Sequence, residues 1–139
     1  MPASGGEAEQ VTRNTGDLPQ LSPDRKFLYF EKTDRYPKEC SVWRMPVGGG
    51  EETVVLDSTA CHPSYAVWEQ GIYFFTPRDE QGRTDLTLYD FPTGKRQKIL
   101  TIEQPGAVYT AVSADGRTIL YSANDQEIER DLMLVENFR

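Results

Sequence analysis

Two stretches of this 139-residue chain are near-copies of earlier ones, at a spacing of about 45 residues or a multiple of it. Met-Pro-Ala-Ser-Gly-Gly-Glu at Met1–Glu7 returns as Met-Pro-Val-Gly-Gly-Gly-Glu at Met45–Glu51. Ser-Pro-Asp-Arg-Lys-Phe-Leu-Tyr-Phe at Ser22–Phe30 returns two periods later as Ser-Ala-Asp-Gly-Arg-Thr-Ile-Leu-Tyr at Ser113–Tyr121. A unit this short cannot bury its own apolar face and must stack on its neighbours. The period points to a β-propeller or another stacked-repeat fold. Three such units are too few to close a propeller ring, which takes about four to eight blades.

Each unit reads as four short strands separated by turn residues. In the first, Leu18–Leu21 precedes the turn Ser22–Lys26, and Phe27–Lys32 opens on the apolar run Phe27, Leu28, Tyr29, Phe30. A run without alternation fits a strand buried on both faces. Ser41–Pro46 and Thr53–Asp57 flank the turn at Gly48–Gly50. The second unit has Ser64–Trp68, Gly71–Thr76, Thr84–Asp90 and Arg96–Thr101. There Leu86 and Leu88 alternate with Thr87 and Tyr89, the period of two of a pleated strand. The third has Val108–Ser113, Thr118–Ala123 and Asp131–Glu136. Gln126–Asn137 is rich in Glu, Leu, Met and Ile and favours a helix by propensity. Because Asp131–Phe138 aligns with Asp85–Pro92, strand is the preferred reading there. Nine prolines and eleven glycines punctuate the chain, which is expected to be all-β.

The strand count is uneven. The last unit lacks a fourth strand, while Met1–Thr12 aligns with the end of a third strand plus a fourth. The expected organisation is a closing strand at about 1–13, four-stranded blades at 14–58 and 59–103, and a three-stranded part of the closing blade at 104–139. The N-terminal strand, about Ala8–Thr12, would complete that last blade within one chain or across an interface. A three-blade arc leaves apolar flanks bare, and such flanks mark association sites. A six-bladed ring closed by a homodimer is the expected assembly.

Composition removes several function classes. The formal net charge is −7 and the pI about 4.7, which argues against direct nucleic-acid binding, since that needs a basic face. Lys95, Arg96 and Lys98 cluster on an expected strand edge, where charge guards against aggregation. No apolar run approaches the length that crosses a bilayer. Met1–Gln10 has neither the charged start nor the apolar core of a signal peptide, so a cytoplasmic or periplasmic address rests on sequence upstream. Cys40 falls at the start of a third strand and Cys61 in a connecting loop. A bridge between them is one reading; a buried thiol and a loop thiol is the preferred one.

Catalytic and metal motifs are missing: no Gly-x-Ser-x-Gly, no His-Glu-x-x-His, no phosphate loop. Gly48–Gly50 reads as a hairpin turn. His62 is the sole histidine, without a Cys-x-x-Cys pair beside it, so neither zinc nor a catalytic triad is expected. Asp79-Glu80 and Asp125-Gln126-Glu127 offer oxygens to Ca²⁺, but the spacing of a calcium loop is lacking and solvated charge is preferred. No metal or other cofactor is expected. Recognition at a rim of the ring is the remaining class. On the loops joining outer to inner and second to third strands, Tyr36, His62 and Arg78 have the chemistry to contact a peptide or small molecule.

The turn motif Ser22-Pro23-Asp24-Arg25-Lys26, its partner Ser113-Ala114-Asp115-Gly116-Arg117, and the Gly-Gly-Glu of Gly5–Glu7 and Gly49–Glu51 resemble the propeller repeats of the TolB family and related WD-like propellers. Arg25 stands where glycine is usual and Ala114 where proline is usual. The C-terminal stretch ending Asp131–Arg139 resembles bacterial regulators that join a winged-helix, CadC-like DNA-binding domain to a C-terminal propeller. That resemblance implies a non-catalytic sensor or interaction part of a transcriptional regulator, without the DNA-reading domain. The alternative is the accessory propeller of a peptidase or hydrolase. A third reading is an engineered propeller-assembly fragment cut at a blade boundary, because Met1 coincides with the repeat position of Met45.

Overall fold

The computed structural model describes residues 5, 7, 10–13, 15–35, 39–61, 64–103, 109–124 and 130–136. Its strands are β1 (Asp17–Leu21), β2 (Phe27–Arg35), β3 (Glu39–Pro46), β4 (Thr53–Thr59), β5 (Tyr65–Trp68), β6 (Gly71–Phe75), β7 (Thr84–Asp90), β8 (Arg96–Ile102), β9 (Thr110–Val112), β10 (Thr118–Asn124) and β11 (Arg130–Glu136). They make three antiparallel sheets in which each strand bonds to the next: β1-β2-β3-β4, β5-β6-β7-β8 and β9-β10-β11. No helix occurs among the described residues. The helix-prone C-terminal stretch is a strand at Arg130–Glu136, paired residue for residue with β10 from Thr118↔Glu136 to Asn124↔Arg130. The ladder to β10 outweighs local propensity.

The second sheet is the filling of the stack. Its Tyr65, Ile72 and Phe74 meet Tyr29, Val42 and Leu56 of the first sheet. Its other face sends Trp68, Tyr73, Phe75 and Leu86 onto Ile119, Tyr121 and Ala123 of the third. For that reason β6 is buried at every position, as its unbroken apolar run requires. Each large side chain buried this way contributes about 1.5–3 kcal/mol.

The turns of the first and third sheets are built alike. Ser22 Oγ donates to Asp24 Oδ1 at 2.6 Å and accepts the Phe27 amide at 2.9 Å, while the Lys26 amide donates to Asp24 Oδ1 at 3.1 Å. Ser113, Asp115, Arg117 and Thr118 repeat these bonds at 2.6, 3.1 and 3.0 Å. The residue after each aspartate is left-handed, with φ +66° at Gly116 and +58° at Arg25.

One expectation is corrected. Cys40 and Cys61 are joined in a disulfide, with Cα atoms 5.0 Å apart. The ladder explains it: β4 extends to Thr59 and pairs Cys40 with Thr59, so Cys61 emerges beside Cys40. An expected β4 ending at Asp57 concealed that proximity.

Lys95, Arg96 and Lys98 are exposed at the start of β8, the outer strand of its sheet. The third sheet has three strands among the described residues, with β11 at its edge. Residues 10–13 add no strand to it. They lie at the first sheet, where the Arg13 amide donates to Glu52 Oε1 at 2.8 Å.

Candidate functional site

The two inter-sheet wedges are filled differently at the end where first strands turn into second strands. Ladder positions make the units comparable, because Leu21 faces Leu28, Val67 faces Ile72 and Val112 faces Ile119. By that register Ser22 and Phe27 stand where Trp68 and Gly71 stand one unit later. Trp68 plugs the wedge between the second and third sheets, packing on Gly116 and donating its indole N–H to the Ala114 carbonyl at 3.3 Å. Tyr29 faces Arg44 as Tyr73 faces Leu88, so a guanidinium replaces the leucine that packs toward the third sheet. A small hydroxyl and a charge replace an indole and a leucine, and the wedge between the first and second sheets stays open.

The opening is a groove of about 730 Å³. Its floor is aromatic: Tyr29 stacks on Phe91 with centroids 6.0 Å apart, and Tyr89 meets Phe91 edge-on at 6.1 Å. Val54 and Val55 of β4 form one wall. At the mouth stand Asp24, Glu69 and Arg44. The Arg44 guanidinium lies 5.0 Å from the centre of the Phe27 ring. Burial pushes the Tyr29 hydroxyl up from its usual range, and Arg44 beside it pulls the other way. The Ser22 hydroxyl and the Lys26 amide hold the Asp24 carboxyl below its usual range. A flat apolar group entering here meets rings on the floor and a donor fork at the rim.

Of the sequence-derived candidates, Tyr36 and His62 lie outside the described residues, as does Asp125-Gln126-Glu127. Arg78 is exposed on the β6–β7 connection, at the opposite end of the sheets from the groove. Beside it Asp79 closes its own loop: Oδ1 accepts the Gln81 and Arg83 amides at 3.0 and 2.9 Å, and Oδ2 pairs with the Arg83 guanidinium at 2.7 Å. Among the described residues no cluster of His, Cys, Asp or Glu is placed to hold a metal. Sequence reasoning passed over Ser22, Phe27 and Arg44. Aligning the units position by position, Trp68 against Ser22 and Leu88 against Arg44, carries the signal that marks them.

Solved structures place the stacked sheets. TolB from Acinetobacter baumannii superposes with a TM-score of 0.69 at 16% identity, over 90% of this chain and 31% of its own. A TolB from Agrobacterium tumefaciens gives 0.64 at 18%, over 84% and 40%. The propeller domain of the Trilobed protease from Pyrococcus furiosus, described as having an open velcro topology, gives 0.61 at 13%, over 87% and 38%. This is a β-propeller fold. The sheets are similar in fold to the blades of these TolB structures, and the chain spans less than half the length of each of those proteins. No protein-family model matches the sequence, and no curated protein does.

Proposed function

We propose that this chain is a non-catalytic propeller module that binds a protein or peptide through the groove between its first two blades. The observation that carries the reading is the paired replacement at that wedge, Ser22 for Trp68 and Arg44 for Leu88, which leaves an aromatic floor open beside a guanidinium. The occupant that fits is an aromatic side chain of the partner, taking the place the chain's own Trp68 takes in the next wedge. Arg44 then bonds a carbonyl or carboxylate flanking that side chain.

The test uses N-acetyltryptophanamide as probe, read by saturation-transfer NMR. Binding at roughly millimolar affinity, about −4 kcal/mol, is expected. Val54→Arg, at the exposed wall, abolishes the transfer if the groove is the site. No transfer to the unaltered chain, or equal transfer to the variant, overturns the reading.

At a finer level, the resemblance of Asp131–Arg139 to winged-helix regulators supports a sensor part of a bacterial regulator. Likeness to the Trilobed protease propeller supports the alternative, an accessory domain of a peptidase. The Cys40–Cys61 bridge favours an oxidising compartment for either. Sequencing the flanks of the gene decides: a winged-helix segment upstream upholds the regulator, and a hydrolase domain overturns it.

A further inference from the structure

Residues 10–13 occupy, relative to the first sheet, the place that β4 occupies relative to the second. β4 borders the groove across from the end of β7, so that Val54 and Val55 line it together with Tyr89 and Phe91. Gln10, Val11, Thr12 and Arg13 share a groove with Met45 and Val47, the positions of the first sheet that match Tyr89 and Phe91. Polar contacts fall at corresponding positions, though of different kind: the Asp57 carboxylate of β4 pairs with the Arg96 guanidinium at 2.7 Å, and the Arg13 backbone amide donates to Glu52 Oε1 at 2.8 Å. The segment therefore takes the position that the fourth strand of a sheet preceding the first one would occupy.

Among the described residues the third sheet is a blade of this kind without a fourth strand. Its face away from the second sheet repeats the register of the buried faces: Leu120 faces Leu134 as Tyr73 faces Leu88, and Ser122 faces Leu132 as Phe75 faces Leu86. Tyr73, Phe75 and Leu86 are buried, yet Leu120, Leu132 and Leu134 are 39%, 77% and 56% exposed. The complementary half also belongs to this chain. Ile119 and Val112 seat the third sheet on the second, and Leu28 and Leu21, their counterparts in the first sheet, leave Leu21 52% exposed. The middle sheet separates the first from the third, so one chain does not bring the two halves together.

We propose that two copies of this chain join head to tail, Leu120, Leu132 and Leu134 of one packing on Leu21 and Leu28 of the other, whose residues 10–13 add to β11 as its fourth strand. This names a second partner surface, distinct from the groove, and does not rest on the groove reading. Strand addition satisfies the free edge of β11 and covers the leucines in one contact. The contact is heterologous, and it closes into a ring when the rotation per blade allows six.

Sedimentation equilibrium from about 1 to 100 μM tests it. The expected mass is twice the 15.8 kDa of the chain. A monomer throughout, or an open-ended polymer, overturns the closed pair. Leu132→Glu on the leucine face and Val11→Pro on the donated strand should each weaken association at least tenfold while keeping the β-type circular dichroism. Val11→Pro touches no core position of the three sheets, so it remains informative if Leu132→Glu fails to fold. Dimers of unchanged strength in Val11→Pro overturn the strand addition.

Discussion

The indole of Trp68 and the backbone of Gly116 interlock across the second and third sheets. A Cβ at position 116 would stand 2.1 Å from Cζ2 of the indole, and the backbone there has φ +66°. Two independent reasons therefore demand glycine: a left-handed turn and an aromatic ring against it. Gly116→Ala is expected to cost about 2–4 kcal/mol, from backbone strain plus displacement of a packed core ring. Denaturant unfolding followed by tryptophan fluorescence checks this. A midpoint shift with an unchanged slope is the expected form.

Arg25 holds the same turn position in the first unit without being glycine, at φ +58°. Arg25 lies exposed on the first sheet, and among the described residues no ring packs on that turn as Trp68 packs on Gly116. Arg25→Gly removes the left-handed strain, and greater freedom in the unfolded chain offsets part of the gain. A rise in stability of up to about 1 kcal/mol is expected. A thermal melt that falls instead would show that the Arg25 side chain has a stabilising role of its own.

The disulfide closes a loop with a sequence separation of 21 between Cys40 and Cys61. On the chain-entropy account a loop of this size contributes about 3 kcal/mol. The double variant Cys40→Ala, Cys61→Ala should lose about that much. Reductant should lower the melting temperature of the unaltered protein and leave that of the double variant in place. Equal sensitivity of both would show that the bridge contributes nothing to the fold.

Much of the architecture is legible in the residues because packing is repetitive. The apolar run at Gly71–Phe75 announces a strand covered on both faces, and β7 falls at Thr84–Asp90 as its alternation requires. The repeated Ser-x-Asp turns announce themselves, since the hydrogen bonds need those side chains at those spacings. The disulfide is less legible because it depends on how far β4 runs beside β3, a matter of two residues at a strand end. The groove is hidden for a different reason. It arises from what Ser22 and Arg44 do not fill, and a missing side chain shows only against the ladder positions of Trp68 and Leu88. A search for reactive residue types looks elsewhere.

Acid should loosen the two Ser-x-Asp turns together. Asp24 is held below its usual range by the Ser22 hydroxyl and then the Lys26 amide. For Asp115 the partners are the Ser113 hydroxyl and the Arg117 amide. A carboxyl whose folded pKa lies below its unfolded value binds its proton more readily in the unfolded chain. Its stabilisation is complete above the unfolded value near 3.8 and is lost as the pH falls through the lower folded value. Stability measured by urea at pH 6 and at steps below about 4 should therefore decline toward acid. The double variant Asp24→Asn, Asp115→Asn should start lower at pH 6 and decline less. Glu52 adds a local readout, since the Arg13 amide and then Lys32 depress its pKa in the same direction. Its protonation weakens the bond that holds residues 10–13 against the first sheet, so the Arg13 amide should exchange faster with solvent as the pH falls, after correction for the intrinsic pH dependence of exchange. An Arg13 amide whose protection is unchanged below pH 4 would show that apolar packing of Val11, not the carboxylate, keeps the segment in place.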